Sequence, residues 1–92
     1  MLDVNKYQKK LEEFAKDREW ERYHSPKNLS IAMSVEVGEL LEIFQWMNEE
    51  DSRNLKEEDM ELIKEEMADV LLYYLRLSDV MGMNIEEILD AK

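Results

Sequence analysis

Three features of the sequence predict an all-α fold, a small four-helix-bundle-like domain. Apolar residues recur at spacings of three and four along most of the chain. Only two glycines and one proline interrupt 92 residues, too little punctuation for a strand-rich fold. Capping residues fall between the periodic segments, at Asp3, Ser25, Gly82 and Asn84.

The first helix is expected over about residues 3–21, with Asp3 as its cap and Val4, Tyr7, Leu11, Phe14 and Ala15 on one inward face. After Tyr23 and His24, Ser25 reads as an N-cap. Pro26 takes the first helical position, where its missing N–H costs nothing. This second helix reaches about Met47. Residues 48–54 are polar and aperiodic and are expected to be a plain connection. A third helix follows over about residues 56–81, and Gly82 supplies its left-handed stop. Asn84 and Glu87 form a capping-box start to a fourth helix, which is short because the sequence ends at Lys92. No repeat, low-complexity segment or linker divides residues 1–92, so they read as a single domain.

Composition excludes several functions. Twelve Lys and Arg against 23 Asp and Glu leave a formal charge of −11, which repels the phosphate backbone of DNA or RNA, so no nucleic-acid partner is expected. The absence of Cys removes disulfides, thiolate metal sites and cysteine nucleophiles. The longest apolar run, residues 70–75, is far below the ~20 residues of a membrane span. The N-terminus has no charged-then-apolar leader. A cytoplasmic protein with no membrane partner is expected.

The informative residues are acids in the wrong place. On a helical wheel, Ser34, Gly38, Glu42 and Gln45 form a narrow polar strip of the second helix, and the rest of that helix is expected to be buried or nearly so. Glu36 and Glu39 lie opposite that strip, among Ala32, Val35, Leu40, Ile43 and Trp46. In the third helix the polar face is Glu61, Lys64, Glu65, Arg76 and Asp79. Glu66 lies in the apolar arc with Ile63, Val70, Tyr73 and Leu77, and Asp69 at its edge. Each helix thus offers an acid pair at i, i+3, on one side within a turn. In a chain this acidic such pairs are common by chance; their placement on apolar faces is not.

Like-charged pairs at ~4 Å cost on the order of 4 kcal/mol each at an effective dielectric of about 20, too much for a small domain to carry several. Either the acids protonate or a cation neutralises them, and no Lys or Arg shares their arcs. Oxygen-only ligands favour Mg²⁺ or Mn²⁺. A carboxylate di-iron bundle needs Glu-x-x-His on two helices, and the chain has one histidine, His24.

Glu36-Val37-Gly38-Glu39-Leu40 and Glu66-Met67-Ala68-Asp69-Val70 resemble the paired Glu-x-x-Glu and Glu-x-x-Asp motifs of the all-alpha nucleoside triphosphate pyrophosphohydrolases, the MazG-like superfamily. Residues 14–20, the segment Tyr23-His24-Ser25-Pro26-Lys27-Asn28-Leu29, and Phe44-Gln45-Trp46 are similar to the branch that contains the dCTP pyrophosphatases. The similarity covers about residues 11–77.

The resemblance implies the all-alpha NTP pyrophosphatase fold and hydrolysis between the α and β phosphates, giving a monophosphate and pyrophosphate. The substrate it implies is dCTP or a related or modified deoxynucleotide. Glu36, Glu39, Glu66 and Asp69 are then the catalytic acids and the ligands of Mg²⁺, with Mn²⁺ as its substitute, and Glu39 is the favoured general base. Bound cations also explain how so acidic a chain accepts a polyanion.

Trp20 and Trp46, which periodicity alone reads as core, become walls of a base pocket under the resemblance. Tyr73, on the face of Glu66 and Asp69, touches ribose or base, and a ring closed over C2′ would select deoxyribose. Tyr74 points to packing. His24 is either a turn histidine bonded to the backbone or a phosphate or base contact. Lys27 and Asn28, in the first turn of the second helix, face an anion or solvent. Met33, Met47, Met60, Met67 and Met81 read as gap-filling core or interface residues.

The second helix is apolar around most of its circumference and the third around roughly two-thirds, more than a small bundle covers from within. A homo-oligomer is expected, and a dimer of dimers is favoured over a dimer. Members of the family continue with a Lys-x-x-x-Asn-x-x-Arg/Lys-Tyr-Pro tail that contacts phosphates. The sequence ends where that tail begins, so truncation of the fourth helix and tail is expected. The alternatives are a degenerate member that binds nucleotide without turnover and an acidic helical interaction module.

Overall fold

The computed structural model describes residues 1–92. It contains helices and no strand: α1 (Val4–Asp17), a 3-10 turn (Glu21–Tyr23), α2 (Pro26–Phe44), α3 (Glu49–Arg53), α4 (Glu57–Val80) and α5 (Ile85–Ala91). The central pair is α2 against α4, and α1 packs on α4. Ala15, Leu29, Ile63 and Leu75 are the buried apolar residues of the core.

Local chemistry sets most of the boundaries. Asp3 caps α1 by accepting from the Lys6 N–H, and Ser25 caps α2 by accepting from the Asn28 N–H with Pro26 just inside. Gly82 takes φ 67°, a left-handed conformation that glycine, having no Cβ, adopts without steric cost. Asn84 accepts from the Glu87 N–H to open α5.

Two expectations are corrected. The first helix ends at Asp17, not Glu21, because Glu19 turns left-handed at φ 57°. The Trp20 N–H then reaches the Ala15 carbonyl at 2.8 Å and the Glu19 N–H the Lys16 carbonyl at 3.1 Å, the paired bonds of a Schellman stop. Glycine usually holds that position, so a glutamate gave no warning. Residues 48–54 contain a helical turn rather than a plain connection. Asn48 accepts from the Asp51 N–H while the Asp51 carboxylate accepts from the Asn48 N–H, a capping box that needs no apolar periodicity.

The helix pair leaves many of its apolar side chains open to solvent. Leu41 is 63% exposed, and Ile31, Val35 and Val37 on α2 and Leu62, Met67 and Leu71 on α4 are exposed with it. The expectation that α2 is buried outside its polar strip therefore fails within a single chain. The accessible surface is 7449 Å², against about 5,650 Å² for a compact monomer of this mass. The radius of gyration is 15.3 Å, against about 12.3 Å for a compact domain of this length. An apolar groove of about 620 Å³ runs between the N-terminus, α2, α4 and α5, with Met33, Leu40, Val70 and Ile85 in its walls. Tyr74 lies there with Met67 and Leu71, as a packing residue should. No helix is long and apolar enough to cross a membrane.

Candidate active site

Packing α2 on α4 brings three acids together. Oxygens of Glu36 and Glu39 on α2 and of Glu66 on α4 all lie within 4.8 Å of one another. Glu36 and Glu66 are half-buried and Glu39 is exposed. Glu36 Oε2 and Glu66 Oε2 are buried with no hydrogen-bond partner. The three ion pairs of the chain, Arg53 with Glu49, Lys64 with Glu61 and Arg76 with Asp79, leave this group untouched.

Such crowding disfavours the charged forms. Burial, and then the neighbouring Glu39 and Glu36, push the Glu66 carboxyl up to about 7. Burial raises Glu36 as well; its contact with Glu66 lowers it in part, and Glu39 and then Asp69 add to the rise. Two orphaned buried oxygens in an all-oxygen set are what a hard divalent cation satisfies, so these residues fit Mg²⁺ or Mn²⁺.

Asp69 stands outside the 4.8 Å group, so the expected cluster of four resolves into three acids and a fourth one turn along α4. It lines a separate cavity of about 200 Å³. Leu11, Phe14 and Trp20 form one wall, His24 another, and Asp69, Leu72, Tyr73 and Arg76 line it from a single stripe of α4. Asp69 thus joins the two regions: it lines the cavity while its charge acts on Glu36.

The Schellman stop of α1 aims Trp20 at this cavity. Its ring meets Phe14 edge-on at 5.6 Å between centroids, and the Arg18 guanidinium covers Phe14 at 3.5 Å. Tyr73 lies in the cavity as its spacing from Asp69 predicts. His24, 6.3 Å from Trp20, forms no side-chain bond to the backbone; its Nδ1 accepts from Arg76 Nε at 3.1 Å. Burial, and then the Arg76 charge, hold its imidazole below the ordinary value and hence neutral.

The remaining candidates lie apart. Asn28 donates its amide to the Tyr23 carbonyl at 3.0 Å, bracing the turn that carries His24. Lys27 is exposed in the first turn of α2 and forms no ion pair. Trp46 is 90% exposed just beyond α2 and takes no part in the cavity. Arg76 corrects the helical wheel: assigned to the polar face, it is 8% exposed, because the segment after α1 folds over α4. Its spacing, seven after Asp69 and three after Tyr73, is the signal that could have placed it.

A match to the MazG-like family covers residues 31–92. The human dCTP pyrophosphatase 1 is 41% identical over 68 residues, which cover 72% of this chain and 40% of that protein. Its bovine counterpart is 40% identical over the same extent, so the chain spans about 40% of the length of these relatives. A crystal structure of a pyrophosphatase from Archaeoglobus fulgidus superposes with a TM-score of 0.90 at 39% identity, covering 99% of this chain and 85% of that one. The matched residues take in both acid-bearing helices, and the chain belongs to the MazG-like family.

Proposed function

We propose that the protein hydrolyses a nucleoside triphosphate between its α and β phosphates, releasing a monophosphate and pyrophosphate, with dCTP or a related or modified deoxynucleotide as substrate. The observation that carries this reading is the pairing of two unlike sites through Asp69: an acid group with orphaned buried oxygens beside an aromatic cavity. The dCTP pyrophosphatases among its relatives support the choice of nucleotide.

Glu36, Glu39, Glu66 and Asp69 are assigned as ligands of Mg²⁺, with Mn²⁺ as its substitute. Bound there, such a cation neutralises triphosphate charge and acidifies nearby water. Glu39, the exposed member, takes a proton from the attacking water. Trp20 and Tyr73 hold the base and sugar, and Leu11 and Leu72 exclude water around them. Tyr73 over C2′ accounts for a deoxyribose preference. Lys27 and Asn28, at the open end of α2, meet phosphate oxygens.

Assembly belongs to the same reading. One chain exposes about 1,800 Å² more than a compact monomer, as much as two standard interfaces of ~800 Å² per partner remove. A dimer of dimers is the assembly proposed. Trp46, outside the cavity of its own chain, joins a base pocket from a second copy.

Pyrophosphate release from a panel of nucleoside triphosphates with Mg²⁺ tests the reaction. Turnover is expected, highest for deoxycytidine forms, and Glu39→Gln and Asp69→Asn should each lower it more than about 100-fold. Undiminished turnover in both variants, or none from any nucleotide in the wild type, overturns the assignment.

A further inference from the structure

The hydrogen bond between Arg76 and His24 carries information about the ligand. A guanidinium has donors only and does not lose its proton, so the Arg76 Nε–H pointing at His24 Nδ1 over 3.1 Å requires Nδ1 to be the acceptor. Arg76 is itself held: it is 8% exposed, and its guanidinium lies 4.0 Å from the Asp79 carboxylate. The His24 backbone is pinned by its N–H to the Glu21 carbonyl at 3.1 Å. That leaves Nε2 as the only free polar atom of a ring that lines the cavity.

We infer that Arg76 is a positioning residue that holds His24 as a neutral imidazole with its single proton on Nε2. A ligand in the cavity then meets a hydrogen-bond donor there and must bring an acceptor. The acceptor is the carbonyl oxygen or unprotonated ring nitrogen of a base, not a phosphate. The charged groups that line the cavity are Asp69 and Arg76; a phosphate would face the Asp69 carboxylate, whereas a neutral base fits the largely apolar walls. The ligand half of this inference rests on the nucleotide reading; the tautomer half does not.

His24 is the only histidine of the chain, so nitrogen-15 NMR of the imidazole reads it without ambiguity. In the wild type at pH 7, Nδ1 should be unprotonated and Nε2 protonated, whether or not the protein hydrolyses anything. Arg76→Met should release a mixture of both tautomers and the protonated form. The products of the proposed reaction separate the two sources of acceptor: deoxynucleoside monophosphates should shift the Nε2 signal, and pyrophosphate alone should not. Arg76→Met should weaken monophosphate binding by less than about fivefold, the factor for complete loss of one neutral hydrogen bond, because only its Nδ1–H tautomer lacks the donor.

Should Arg76→Met fail to fold, His24→Gln and His24→Asn replace it. Gln keeps a donor near the Nε2 position and should bind within about twofold of the wild type, while Asn places it near Nδ1 and should lose about fivefold. A proton on Nδ1 in the wild type overturns the inference, as does a shift with pyrophosphate alone. A folded Arg76→Met whose imidazole keeps the wild-type tautomer, or unchanged monophosphate binding in His24→Asn, overturns it too. Failure of pyrophosphate release with the NMR results intact would instead discard only the proposed reaction.

Discussion

Glu66 and Arg76 lie on one helix, ten residues apart, each with charge taken out of water, and they are treated in opposite ways. Arg76 is partnered within the chain, with an acceptor at His24 and an acid at Asp79. Glu66 has a buried oxygen with no partner and two other acids beside it. A buried charge that the chain satisfies is architecture; one that it leaves facing its own kind reports a partner from outside. The difference separates the half of the site that the polypeptide completes, the aromatic cavity, from the half whose acids it leaves without a counter-charge.

The sharpest break of that contrast is chemical. Glu66→Gln and Glu36→Gln should each cut turnover more than about 100-fold while raising the melting temperature of the metal-free protein at pH 8, because each relieves crowding. A stabilising substitution that destroys activity marks a functional site, and circular dichroism melts beside pyrophosphate assays check both halves.

Next in size is the response to the cation. At a hundredfold excess over its dissociation constant, Mg²⁺ should raise the wild-type melting temperature by about 10 °C or more, and Glu36→Gln should abolish most of that rise. In the aromatic half, Trp20→Ala should raise KM about tenfold or more through lost stacking, with kcat less affected.

The pH dependence separates the halves further. The Glu66 value of about 7 lies above its ordinary 4.5, so the folded chain keeps a proton that the unfolded chain releases. The stability this gives is intact below pH 4.5 and is lost as pH rises through about 7. His24, with its value lowered, contributes the opposite trend, stability gained as pH rises through 6.5. The metal-free wild type measured against Glu66→Gln isolates the first trend, and the difference between their melting temperatures should widen from pH 4.5 to 7.

The smallest effect lies at the stop of α1. Glu19 at φ 57° pays the left-handed cost that glycine avoids. Glu19→Gly should gain about 0.5–1 kcal/mol after the entropy that glycine loses, or roughly 3–6 °C in melting temperature. Cavity function should survive, since the Trp20 and Glu19 N–H bonds are kept.

These cases show what the sequence makes legible. The caps at Asp3, Ser25 and Asn84, the stop at Gly82 and the inward placing of Glu36 and Glu66 follow from residue chemistry within a turn or two, and all are present. The Glu19 stop escaped because glutamate is not the usual left-handed residue, and the Asn48 capping box because no apolar periodicity follows it. Arg76 escaped because a wheel describes one helix, and its burial is set by a segment more than fifty residues away in sequence. The exposure of Leu41 and Trp46 escaped for the converse reason: apolar character is read locally, whereas exposure depends on whether another part of the chain packs over it, and none does.

The central claim, that Glu36, Glu39 and Glu66 are arranged for a divalent cation, is tested most directly by calorimetric titration of Mn²⁺ into the metal-free protein at pH 6, repeated in buffers of different ionisation heat. Binding that releases about one proton per site, and that Glu66→Gln largely removes, is the predicted result, because a Glu66 titrating at about 7 must give up its proton to become a ligand. Absence of binding at millimolar Mn²⁺, or equal binding by Glu66→Gln with no proton released, would contradict it.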